Sequence, residues 1–284
     1  MKKSNEPRTG MVLKALLGRC EPTKRVALER FLPESERRQL DALPMMGAEV
    51  QPDRFSHGNI LEKVHWSWFL PTLKTYPETE QKLFLSALNP YSAKNLAKAL
   101  ILSSNGHETS EIGRAFLQKI LLDSLVGPED RLLPLDYLPS SSLSRLLHCS
   151  KKELTRLIDL LSIHDLAAEL RQIVETKILK KIYSLLSEEE RKFLKTATAH
   201  KDPFTLGKLG LERWDGSEES LRTLLHKRGL ARFGAGLSGQ DPDFIWYICH
   251  QLDIGRGNAL YKLCAKEPIH GVTDAILPQI EELL

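Results

Sequence analysis

The chain has 284 residues, 42% hydrophobic and 27% charged. These proportions suit a globular protein able to bury a core without disulfides or metals. Its 40 basic and 37 acidic residues leave a net charge of +3, which excludes a global field for drawing in nucleic acid and leaves only local patches.

At this length one large domain or two to three small ones are expected. Cys20, Cys149, Cys249 and Cys264 share no CxxC spacing, and scattered thiols fit a reducing compartment better than a disulfide framework. Lys2 and Lys3, followed by Met11 to Cys20, faintly imitate a lipoprotein signal. Lys14 interrupts the apolar run and Arg19 stands where a small residue is needed, so no signal peptide is expected. The apolar runs fall short of the ~20 residues that span a bilayer. A cytoplasmic chain is expected.

Residues 1–58 read as a polar tail, short helical runs and a helix opened by Pro33-Glu34-Ser35-Glu36, then a Pro- and Gly-rich linker from Met45 to Gly58. Residues 59–127 form an aromatic-rich helical unit. It contains one helix from Ile60 to Leu73 and a second behind the Thr75-Tyr76-Pro77-Glu78 capping pattern. A third helix runs from Leu96 to a stop at Ser103-Ser104-Asn105-Gly106. A fourth has Ile112, Phe116, Ile120 and Leu121 at the spacing of a buried face, before Gly127-Pro128.

Residues 128–284 form a C-terminal helical domain. Ser150 with Glu153, and Ser187 with Glu190, are capping boxes. Leu166 to Leu186 carries one helical stripe. Asp202-Pro203 and Asp241-Pro242 are helix starts with proline at the first position. Leu221 to Arg228 reads as a helix, Gly229 to Gly239 as a glycine-rich turn or hairpin, and Ile276 to Leu284 as the last helix. The fold class is therefore all-α, with stacked helical hairpins and a small winged-helix-like hairpin near residues 229–239.

The chemical motifs are sparse. Gly234-Ala235-Gly236-Leu237-Ser238-Gly239 spells GxGxxG, with Asp253 nineteen residues past Gly234. That pattern binds a dinucleotide only between a strand and a helix of a parallel sheet, and no βαβ series accompanies it. Ser162, His164 and Asp165 are triad residue types, but His164 adjoins Asp165, and adjacent residues on a helix point apart, so they form no relay among themselves; a polar helix junction is the expectation. Cys249 and His250 lack metal-spaced partners. Glu188, Glu189 and Glu190 are explained by a helix start, and Lys177, Lys180, Lys181, Arg191, Lys192 and Lys195 by a solvated face. No catalytic set, cofactor or metal is expected. A nucleic-acid regulator would use Arg222, Lys227, Arg228 and Arg232 at a helix end and wing.

Two aromatic clusters remain: Trp66, Trp68 and Phe69, and Phe244, Trp246 and Tyr247. Most of these side chains belong to a core, with one or two left as exposed anchors for a partner.

The stretch His65-Trp66-Ser67-Trp68-Phe69-Leu70-Pro71, with Phe84 to Pro90, resembles helical segments of FliG-like flagellar-switch sequences. The stretch from Gly229-Leu230-Ala231-Arg232 through Phe244 to Gly257 is similar to the end of SctK-type adaptors of type III secretion systems. There a glycine–leucine–arginine step precedes a helix with histidine and leucine–aspartate, then a basic glycine turn. The resemblance covers about a third of the chain, and the long segment before Ile60 departs from it. It implies a helical, non-enzymatic adaptor of the sorting platform. Its partners would be the cytoplasmic domain of the inner-membrane ring and the pod protein. On this reading the protein-binding residues are Trp66, Trp68, Trp246, Tyr247, His250, Asp253 and Arg256.

Overall fold

The computed structural model describes residues 10, 13, 14, 17, 20–43, 57–102, 109–127, 132–199, 204 and 206–284. Among them every regular element is helical and none is a strand, so the chain is all-α. The first helices with described bounds are α1 (Pro22–Glu29) and α2 (Glu34–Ala42), both largely exposed, of which α2 buries Leu40. There follow α3 (His57–Lys63), a 3-10 turn Trp66–Trp68, α4 (Leu70–Leu73), α5 (Glu78–Ser86), α6 (Pro90–Leu100) and α7 (Glu111–Val126). After 3-10 turns at Leu135–Tyr137 and Ser144–His148 come α8 (Lys151–Leu170), α9 (Thr176–Leu185) and α10 (Glu188–Ala199). A 3-10 turn at Leu211–Arg213 leads to α11 (Glu218–Leu237), α12 (Pro242–Gln251), α13 (Ile254–Leu263) and α14 (Thr273–Leu283).

Two of the predicted capping boxes close. Ser150 N donates to Glu153 Oε2 at 2.7 Å and Ser187 N to Glu190 Oε2 at 2.6 Å, with both serine hydroxyls accepting in return. Asp241 caps α12 through the amides of Asp243 and Phe244. The Thr75 box does not form: α5 starts after Pro77 without a side-chain cap, and the Thr75 hydroxyl turns back to the Thr72 carbonyl. The single helix expected from Ile60 to Leu73 is three pieces. His65 is extended, and its ring accepts from the Ser67 amide to start the 3-10 turn. Gly58, expected in a linker, lies in α3. The stripe from Leu166 to Leu186 breaks after Leu170 and resumes in α9. Ile112 and Phe116 are 84% and 62% exposed, although Leu121 on the same helix is fully buried. The expected linker at 45–56, the stop at 103–106 and the Asp202-Pro203 cap lie outside the described residues.

The core has two parts. The larger joins Phe69 and Leu73, Phe84, Leu96 and Leu121 to the first half of α8 and the second half of α11. Helices α12, α13 and α14 complete it through Ile248, Leu260 and Ile276. The smaller gathers Leu166 of α8, Ile182, Leu194 and Leu221. The expected division between residues 127 and 128 is therefore not a division of the core. The change from one core to the other falls inside α8 and α11, each 20 residues and about 30 Å long.

These two helices meet at Gly229. A Cβ there would lie 1.9 Å from the Ile158 carbonyl oxygen, so only glycine permits this backbone contact. Further along α11, a Cβ on Gly234 would strike Leu263 at 2.6 Å and one on Gly236 would strike Ile280 at 2.4 Å. The first four residues of the GxGxxG run thus belong to α11, where Gly234 and Gly236 admit α13 and α14 as Gly229 admits α8. Residues 229–237 are neither a strand, a wing nor a hairpin. Each glycine sacrifices about 1 kcal/mol of helix propensity, which the close packing of three neighbours offsets. The turn begins only after Leu237, where Gly239 adopts φ +81° and donates to the Ala265 carbonyl.

Candidate interaction site

Trp246 and His250 stand one helical turn apart on α12, where i and i+4 side chains share a face. Their rings stack at 3.8 Å between centroids and 19° between planes. Trp68 covers the other side of the imidazole at 4.0 Å and 29°. His250 Nδ1–H donates to the Trp246 carbonyl at 2.7 Å, and burial holds its pKa down to about 4. A neutral imidazole thus lies between two indoles.

The same seam is closed by hydrogen bonds that each use a main-chain group. His65 N donates to the His250 carbonyl at 2.7 Å, Trp68 Nε1 to the Leu252 carbonyl at 2.9 Å, and Ile254 N to Ser67 Oγ at 2.9 Å. Gly257 leaves room for the indole: a Cβ there would meet Trp68 at 2.6 Å and the Cys249 carbonyl at 2.3 Å. Trp66 is half-buried beside the His65 ring. Tyr247 is fully buried, its hydroxyl donating to the Leu133 carbonyl at 2.9 Å, and burial pushes its phenol up. It clamps the core and offers nothing to a partner, which corrects its expected role. His250, buried within the stack, is corrected likewise.

A polar chain runs outward from this seam. Asp253 caps α13 through the Arg256 amide, pairs with the Arg256 guanidinium, and lies 3.3 Å from Lys151 Nζ. Burial alone would raise the Asp253 carboxyl, but hydrogen bonds from Arg256, with its charge and Lys151, hold it at about 2. Lys151 Nζ lies 3.2 Å from His65 Nε2, and burial together with that ammonium keeps His65 at about 4. On the other side, Arg256 Nε donates to His226 Nε2 at 2.9 Å, and His226 Nδ1–H to Asp159 Oδ1 at 2.8 Å. The network thus links the turn before α4 to α8, α11 and α13.

The cations expected to meet phosphates are mostly engaged elsewhere. Arg222 binds Glu190 at 2.5 Å and the Leu185 carbonyl at 2.6 Å. Burial raises the Glu190 carboxyl, but the bonds from Arg222 and Ser187 together carry it below its ordinary value. Arg228 donates to the carbonyls of Leu206 and Lys208. Arg232 is fully buried, bound to Asp165 at 2.7 Å and Gln279 at 2.8 Å. Of the four, Lys227 is exposed. The segment around Ser162 and Asp165 is the buried middle of α8 and not a polar junction.

Lys151, Asp159 and His226 were not singled out by the sequence, and His65 only as the first residue of the stretch that carries the resemblance. They come together from 65 to 226 with no local spacing to mark them. Asp165 and Arg232 carried one signal, a lone charge inside an apolar helical stripe.

Beside the network lies an open groove of about 730 Å³, lined chiefly by His65, Tyr91, Lys151, Lys152, Arg156 and Arg256, with Asp159 its one carboxylate. It continues past Thr155 and Asp159 into a hollow of about 580 Å³ reaching Arg222, His226 and Lys227. Among the described residues no His, Cys, Asp and Glu cluster could hold a metal, and no helix is long and apolar enough to cross a membrane. Comparison of the chain with protein families, with curated proteins and with solved structures gives no match in any of the three.

Proposed function

We propose that this chain is a non-enzymatic cytoplasmic adaptor of a type III secretion system, peripheral to the inner-membrane face of the apparatus. It would join the cytoplasmic domain of the inner-membrane ring to the pod protein of the sorting platform. One observation carries the reading. The two segments that resemble such adaptors and switch proteins lie far apart in sequence, yet they meet in one seam, with Trp68 stacked on His250 and bonded to Leu252 across 184 residues.

In this reading the seam fixes the frame, and the partner-facing groups are those left at its rim: Trp66, Asp253 and Arg256, with the lysines beside them. Stacked helices hold these side chains in place, so a partner need not order them on docking. Charge then steers the encounter and sets specificity more than raw affinity. Co-purification of the full chain with the purified ring domain and the purified pod protein tests it. A ternary complex of defined mass by light scattering is expected. Failure of both partners to bind the wild-type chain ends the proposal.

A further inference from the structure

Resting on that adaptor reading, we propose that the groove along the first half of α8 seats an acidic, extended segment of a partner protein, with an apolar side chain of that segment against Tyr91. The central groove is lined by Lys151, Lys152, Arg156 and Arg256 with Asp159, while Asp253 behind Lys151 and Arg256 and Glu189 beside Arg156 offset part of that charge. Towards one end it adds Lys63 and Trp66 with Glu62 and Glu153, and towards the other Arg222 and Lys227 with Glu190 and Glu219. Of the three stretches the middle alone keeps an excess of cations over carboxylates.

Two of its cations are held in place before any partner arrives. Lys151 is fixed between His65 and Asp253, and Arg256 between Asp253 and His226. Binding therefore loses little side-chain freedom at these positions. Lys152 is exposed, and Arg156, half-exposed, reaches Glu189 at the rim. Tyr91 is 67% exposed and lines both the central groove and its extension towards Trp66. An exposed tyrosine beside fixed cations suits a segment that mixes carboxylates with an apolar anchor. From Ser150 to Asp159 the groove follows α8 for about 14 Å, room for roughly four extended residues.

The probe is a fluorescently labelled, short glutamate-rich peptide containing one leucine, titrated with the full chain and followed by anisotropy. Saturable binding that weakens as salt rises is expected. The double variant Lys152→Glu/Arg156→Glu should weaken it at least about tenfold, or 1.4 kcal/mol. Tyr91→Ala should weaken it several-fold, and the control Lys177→Glu/Lys180→Glu on α9 should leave it unchanged. Unchanged melting of each variant separates docking from folding. The proposal is overturned if the wild-type chain ignores the peptide, if groove and control variants behave alike, or if duplex nucleic acid competes through the same residues more strongly than the peptide. In parallel, the groove variant is tested against the ring domain and pod protein. Undiminished capture of both partners overturns the groove assignment and leaves the adaptor reading standing, whereas loss of capture by the wild-type chain removes the adaptor reading itself.

Discussion

Helices α8 and α11 are tied by charge at two places that differ in their access to water. Inside, Asp165 and Arg232 are 2% and 0% exposed and meet at 2.7 Å. At the surface, Asp159 reaches α11 through His226, which passes the contact to Arg256 and Asp253. Burial pushes the Asp165 carboxyl up by more than Arg232 and Arg228 pull it down. Asp253, less deeply placed, ends well below the ordinary range. The residue types are alike; depth decides their use. A dry pair mainly keeps each member from being stranded, while a wet one leaves its cations available to another molecule.

The largest test of this contrast is Arg232→Ala. It leaves Asp165 buried, with Arg228 at 3.8 Å and the Leu206 amide as its remaining partners. A loss of about 3–5 kcal/mol is expected, read as a fall in the urea midpoint at constant slope. A loss below about 1 kcal/mol would mean that the site admits water or a proton, and the contrast would collapse.

Next is the pH dependence of the aromatic seam. His250 titrates near 4 when folded against an ordinary 6.5. Between those values the unfolded chain takes up a proton that the folded chain refuses. Stability from this group is therefore complete above about pH 6.5 and declines as pH falls towards 4, by on the order of 3 kcal/mol. Asp253, held at about 2, contributes stability that is lost only at lower pH, below about 4. Denaturant titrations at a series of pH values should show the upper step in the wild type and, in His250→Phe, a smaller step left by His65, which is also held at about 4. A step undiminished in that variant would assign it elsewhere.

The smallest effect is expected from Arg256→Ala in the wet network. Its side chain is 39% exposed, so solvent screening limits the loss to about 1 kcal/mol or less. Differential scanning fluorimetry measures it against Arg232→Ala. Equal destabilisation by the two variants would abolish the distinction between inner and outer ties.

Much of the fold was legible in the sequence because helix signals are local. The serine boxes at Ser150 and Ser187 and the aspartate before Pro242 act within a turn of where they stand. What escaped depended on distant neighbours. Glycines at 229, 234 and 236 read as breakers until α8, α13 and α14 are brought against them. The spacing of Ile112 and Phe116 marks a stripe but cannot say whether another element covers it. At the candidate site, Trp68, Trp246, His250, Asp253 and Arg256 do converge. Their work is largely to fasten the chain to itself, because their partners were set by contacts as remote as His65 to His250. Tyr247 looked like an anchor because nothing nearby reveals that its hydroxyl reaches Leu133.

The bare contact of Gly229 with the Ile158 carbonyl has a mechanical consequence. With no side chain interposed, the main chains of the two long rods touch directly at this point. Any side chain larger than hydrogen at 229 would wedge the two rods apart, and both cores that they span would have to shift with them.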